Sequence, residues 1–324
     1  MSIRVYDRAT GHIFTEEMPT WLKVGMKMMG MVPRKVHRAM NRKITFGKCA
    51  KEFNDPKKGP KLIRDYIRRY KKELQLDDIA RPLSDFKTLN EFFQRQVKPR
   101  PIAAKGDPRV MVCAADCRLS VFGSVQASKR LWIKGEEFTV PRLLALPPDK
   151  VKLKNPAVVI FRLAPQDYHR FHFPVTAVYR RLWKPLTAGE YYSVNPTAVH
   201  SKRTNVYTVN KRYLMELYSP TFGTIYIAII GATCAGSIKM FVSPRDNPYA
   251  KGTQMGVFGF GGSTLVMLVD AAKIAFAQEL LWASTNRMES LVRMGQWLGM
   301  SRQHPCMMVK TGMRVDYQGR KLGK

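Results

Sequence analysis

Between about residue 108 and residue 242 the chain breaks into short β-branched and aromatic runs, and this texture constrains the fold more than any other feature. The runs cover residues 110–112, 119–122, 131–133, 158–162, 176–182, 206–209, 213–217, 225–230 and 237–242, and Gly, Pro, Asn and Asp divide them. Val, Ile, Phe and Tyr suit a pleated, half-buried surface, whereas the dividing residues set turns. The spacing therefore predicts a mainly antiparallel β body, followed by a helix over residues 280–298. With 324 residues and 45% hydrophobic content the chain has enough apolar surface to bury a sizeable core. No internal repeat or low-complexity tract interrupts it.

The N-terminal quarter reads differently. Residues 1–18 show no period and are expected to be irregular. Over residues 20–46, Trp21, Leu22, Val24, Met28, Met29, Val32, Val36, Met40 and Ile44 recur among lysines and arginines, and Pro33 divides the pattern into two amphipathic helices. Another helix is expected over residues 60–74, with Leu62, Ile63, Tyr66, Ile67, Tyr70 and Leu74 on one stripe. The class is α+β: a mainly antiparallel β body with basic amphipathic N-terminal helices. The boundary falls between a basic helical region, 1–83, and the body, 84–324.

The chain carries 55 Lys and Arg against 24 Asp and Glu, a net charge of +31. Such an excess suits a polyanionic partner, and both nucleic acid and an anionic lipid surface fit it. A basic helix with Trp and Met on its other face suits a membrane interface. No run reaches the ~18 uninterrupted apolar residues of a spanning helix, and Asp7, Glu16 and Glu17 break any secretory signal. The five cysteines are scattered without the paired spacing of a zinc site, so a reduced compartment and no metal are expected. Cys113 and Cys117 read as core fillers.

The chemistry concentrates in three places. Gly259-Phe260-Gly261-Gly262-Ser263-Thr264 puts a hydroxyl nucleophile, Ser263, beside the unshielded Gly262 carbonyl. His169 and His172 lie three residues apart in Asp167-Tyr168-His169-Arg170-Phe171-His172. Asp116 follows the apolar Ala114-Ala115. A carboxylate, an imidazole and a hydroxyl are the parts of an Asp/His/Ser relay. His12, His37, His200 and His304 sit in no comparable setting.

These three segments, in this order, resemble the phosphatidylserine decarboxylases, pyruvoyl enzymes that cut themselves at Gly-Ser. Thr88-Leu89-Asn90-Glu91-Phe92-Phe93 with Lys98-Pro99-Arg100-Pro101, then Gly189-Glu190-Tyr191-Tyr192, then Gly231-Ala232-Thr233, extend the similarity from about residue 84 to about 298. The Gly-Gly-Ser-Thr form is similar to the eukaryotic type II branch.

The resemblance implies cleavage at Gly262-Ser263 into a β chain, 1–262, and an α chain, 263–324, with Ser263 becoming the pyruvoyl cofactor. Phosphatidylserine would then be decarboxylated to phosphatidylethanolamine through a Schiff base. It implies Asp116, His172 and Ser263 as the relay and His169 as proton donor in decarboxylation, although spacing alone does not divide the histidines. It further implies a membrane-peripheral, intracellular protein whose basic region 1–83 meets the anionic surface, with no nucleic acid bound. The organelle (mitochondrial inner membrane or endomembrane), the phosphate ligands and homodimer formation are not assigned. Two alternatives stay open: a basic nucleic-acid-binding protein without catalysis, and a pyruvoyl decarboxylase of a soluble amino acid.

Overall fold

Ten strands pair into one sheet, in the order β11 (Arg245–Tyr249), β7 (Ala177–Trp183), β8 (Arg212–Ser219), β9 (Gly223–Gly231), β13 (Ser263–Asp270), β5 (Pro156–Leu163), β4 (Cys117–Phe122), β15 (Glu289–Val292), β1 (Ile3–Asp7) and β2 (Ile13–Glu16). This computed structural model describes residues 3–16, 36, 39–40, 44, 47, 49–71, 73–131, 138–183, 190–195, 199, 205–232, 237–260, 263–303, 314–315 and 321–322. Every pairing in the large sheet is antiparallel except β1 with β15. The structure is thus α+β with a β-rich body, as the run spacing predicts.

The central strands are buried on both faces, so they read as continuous apolar runs rather than alternating ones. One face of β13, Leu265, Met267 and Val269, packs with Val159, Phe161, Ile227 and Ile229 and with Leu280 of a helix over Gln278–Thr285. The other face, Val266 and Leu268, packs with Val158, Ile160, Tyr226 and Ala228 beneath Val140–Leu144. Two three-stranded sheets complete the β body. One has the order β10 (Ile238–Met240), β12 (Gln254–Phe258), β6 (Arg170–His172); the other is β14 (Ile274–Phe276), β16 (Trp297–Ser301), β3 (Val110–Val112).

The helices α1 (Ala50–Phe53), α2 (Gly59–Tyr70) and α3 (Leu89–Phe93) build a separate apolar cluster around Ile63, Tyr66, Phe92 and Phe93. Thr88 caps α3, its hydroxyl accepting from the Glu91 amide at 3.1 Å. The expected helix over 60–74 ends earlier, at Tyr70. The two helices expected over 20–46 fall mostly outside the described residues. Among those described, no helix is long and apolar enough to cross a membrane.

Four expectations are corrected. Residues 3–16 form a hairpin, because β1 finds a parallel partner in β15 that no local pattern announces. Leu131 closes a helix, Val125–Leu131, instead of opening a strand. Val206–Val209 forms one helical turn despite its β-branched residues, since all four side chains are buried and packing overrides propensity. The expected helix over 280–298 stops at Thr285, where Arg287 adopts a left-handed φ of 57°, and the chain returns as β15 and β16. Cys113 and Cys117 are free and buried, while Cys49 is disulfide-bonded. Sequence spacing does not announce such a bond, which depends on how closely two Cα atoms approach in space.

Candidate active site

The turn after β5 is built on one carboxylate. Asp167 Oδ2 accepts from the Ala164 amide at 2.7 Å and Oδ1 accepts from Arg118. Arg118 is itself 2% exposed and also faces Glu16 at 3.3 Å and Glu73 at 3.1 Å. Buried Arg95 donates to the carbonyls of Gln166 (2.8 Å) and Asp167 (3.0 Å). The turn is thereby fixed through both its side chains and its backbone.

That turn sets the state of His169. Its Nδ1 lies 2.9 Å from the Asp167 carbonyl, which can only accept, so Nδ1 carries the proton. Nε2 is then a bare acceptor, and it is buried without a partner among the described residues. The ring is fully buried and lies tilted against Phe93, 3.8 Å between centroids. Burial pulls its pKa down to about 3, the Asp167 carbonyl opposing and Arg95 adding to the shift.

His172 lies on the other face of β6, since side chains alternate along a strand. Its Nδ1 donates to the Gly252 carbonyl at 2.9 Å, and its Nε2 accepts from the Tyr168 hydroxyl at 3.1 Å. Burial lowers its pKa, and Asp116 works against that shift. Asp116 is clamped by Arg100, whose Nη1 reaches both carboxylate oxygens at 2.7 Å, and by the Met294 amide at 2.8 Å. Arg100 also holds Asp78 at 3.0 Å. Tyr168, His172, Arg100, Lys98 and Lys105 line a cavity of about 590 Å³.

Ser263 opens β13, register-paired with Leu163 on one side and Gly231 on the other. Its side chain is 0% exposed and its Oγ has no hydrogen-bond partner among the described residues. The preceding loop is held closely: a Cβ on Gly259 would sit 2.0 Å from Ser237 Oγ, so a larger residue would force that hydroxyl to turn away. The Phe260 amide donates to Asn90 Oδ1 at 3.1 Å, and the Phe260 ring lies 4.2 Å from that of Phe53 and 4.8 Å from that of Phe93. A series of rings thus runs from His169 through Phe93 to Phe260. Gly262 lies outside the described residues.

The fold therefore brings Asp116 and His172 within electrostatic reach and ties His169 to the loop before Ser263. Among the described residues no hydrogen bond joins Asp116 to either imidazole, or either imidazole to Ser263. No cluster of three or more His, Cys, Asp or Glu among them could hold a metal. Sequence reading missed Arg95, Arg118, Asp167 and Tyr168 as supports of the two histidines. Asp167 and Tyr168 stand inside the quoted motif, but nothing in a linear spacing says that a carboxylate pins a turn.

The sequence profile of the phosphatidylserine decarboxylase family matches residues 89–300. Phosphatidylserine decarboxylase proenzyme 2 of Oryza sativa subsp. japonica is 42% identical over 259 residues, 79% of this chain and 41% of the rice protein. Its namesake from Komagataella phaffii is 34% identical over 94% of this chain but 30% of its own length. The Clostridium kluyveri phosphatidylserine decarboxylase proenzyme is 31% identical, covering 86% of this chain and 90% of its own. The chain thus spans well under half of these two eukaryotic relatives and nearly all of the bacterial one, and the matched segment contains Asp116, His169, His172 and Ser263. On these matches the chain belongs to the phosphatidylserine decarboxylase family.

Proposed function

We propose that this protein is a self-cleaving decarboxylase that converts phosphatidylserine to phosphatidylethanolamine at an anionic membrane surface. One observation carries the reading: a fully buried Ser263 hydroxyl, without a partner among the described residues, directly after a Gly-Gly pair. A buried hydroxyl without a partner costs stability, which is expected where a group is kept for chemistry. Residues 1–83 are assigned to membrane association and 84–324 to the self-cleaving domain, in a peripheral rather than spanning arrangement.

In the cleavage step an imidazole takes the Ser263 Oγ proton, Oγ bonds to the Gly262 carbonyl carbon, and the Gly262-Ser263 C–N bond breaks to leave an ester and a free amine. Loss of the Ser263 α-proton then expels Gly262 as a carboxylate. Tautomerisation and reaction with one water release ammonia, leaving a pyruvoyl group at position 263. Position 263 fits such a group, being small, enclosed and shielded from water on both sides by β5 and β9. The pyruvoyl group supplies an electron sink for loss of carbon dioxide from an amino acid.

Asp116 and His172 are assigned to the relay and His169 to proton handling during decarboxylation. Asp116 offsets part of the burial penalty on a protonated His172. Because His172 Nε2 accepts from Tyr168, taking the Ser263 proton requires that hydroxyl to turn away. A second reading is favoured by one specific observation: among the described residues, His169 Nε2 is the imidazole nitrogen already free, which suits it to act as the base in cleavage.

Intact mass under denaturing conditions tests the proposal. The 37.1 kDa chain should resolve into pieces of roughly 30 and 7 kDa, whereas Ser263→Ala should stay whole and inactive on phosphatidylserine. A severed Ser263→Ala chain would overturn the mechanism. His172→Ala should remain uncut while His169→Ala is cut but inactive; the opposite pattern assigns the base to His169.

A further inference from the structure

The small β10–β12–β6 sheet presents one face to the core and one outward. Arg170 is register-paired with Val257, and Val257 with Lys239, so these three share the face away from the core, with Val257 itself covered at 1% exposure. β10 and β6 both run antiparallel to β12, so Phe241 and His172, each two residues along, lie level with each other on the two outer strands. Phe241 is 43% exposed. The Arg170 guanidinium lies 5.5 Å from its centroid and the Lys239 ammonium 5.7 Å. Among the described residues neither cation pairs with a carboxylate, and Arg81 stands near enough to repel Arg170.

This face reaches the site across the sheet: exposed Phe241 lies two strands over from His172, which walls the 590 Å³ cavity where Lys98 and Lys105 add positive charge. It also borders the loop before Ser263, because the Gly259 amide donates to the Ser237 carbonyl at 2.8 Å. Arg170 Nε donates to the Gln94 carbonyl at 2.9 Å, which holds the guanidinium in place without neutralising it. An aromatic ring framed by two cations without a carboxylate among the described residues matches the chemistry of an anionic lipid interface, with the ring among the acyl boundary and the cations at the phosphates.

We propose that the outward face of this sheet, Phe241 with Lys239 and Arg170, is a membrane-contact lip, separate from residues 1–83, that seats the mouth of the site on an anionic bilayer. The inference rests on the proposed function for its lipid substrate. It requires that an extracted head group cross from Phe241 to the His172 cavity beside Lys239 and Arg170 instead of through water. A nucleic acid or an acidic protein segment would meet the same charges, but neither uses an exposed ring beside the path to His172.

The test uses the full chain and vesicles of phosphatidylcholine with or without phosphatidylglycerol, an anionic lipid that is not the substrate. Phe241→Trp should show quenching by brominated acyl chains beyond that of the parent protein, and only on the anionic vesicles. The pair Lys239→Glu with Phe241→Ser should lower partitioning onto those vesicles on the order of tenfold while leaving chain cleavage complete. Turnover of a short-chain soluble substrate should be unchanged. Parent-level quenching, or parent-level partitioning of the double variant, overturns the lip. A protein that is cut and active yet gives either result keeps the proposed function and loses only this surface. An uncut, inactive parent removes the function, whatever the vesicles report. Tighter retention by nucleic acid than by anionic vesicles, abolished by the same double variant, also overturns it.

Discussion

At the scale of single residues, the site stores its chemistry in groups held away from their ordinary states. His169 is neutral far below its usual range, since burial takes it to about 3, and burial lowers His172 as well. Unfolded, His169 would titrate near 6.5, so below that pH the unfolded chain binds a proton that the folded chain refuses. Its contribution to stability is therefore whole above 6.5 and is lost progressively as pH falls toward about 3. Urea midpoints measured from pH 7 to pH 4 should fall with acid, and His169→Phe should make that slope shallower without flattening it, because His172 contributes too. By the same logic, the rate of chain cleavage should lack an acid limb near pH 6.5.

At the scale of elements, buried charges join segments far apart in sequence. Arg162 on β5 holds Glu289 on β15 and reaches Glu16 on β2 at 2.6 Å, while Arg118 on β4 ties Glu16 to the His169 turn. Removing one partner of a buried pair leaves the other charge uncompensated, but Glu16 remains beside Arg162. Glu289→Gln should therefore cost about 2 kcal/mol, read as a lower urea midpoint. Such joints explain what could be read from the chain beforehand. Runs such as 158–162 and 225–230 declared themselves as strands because burial on both faces leaves an unbroken apolar stretch. The N-terminal hairpin did not, because β1 owes its existence to β15, nearly three hundred residues away. Likewise the histidines stood out by spacing, whereas Arg118 and Asp167 acquire meaning only once the turn is closed.

At the scale of the whole molecule, the proposed cut falls at the head of β13, the strand lodged between β5 and β9 with a continuous ladder on either side. The two fragments should therefore travel as one particle in native size exclusion and separate only in denaturant. After cleavage, the native particle should fail to re-form when urea is removed, whereas uncut Ser263→Ala should refold. A strand in the middle of a sheet cannot be supplied once its neighbours have met, so the uncut precursor acts as a mould used once. For the mature form, thermal inactivation would then be permanent even in a clean, dilute solution, and cells could replace it only by new synthesis.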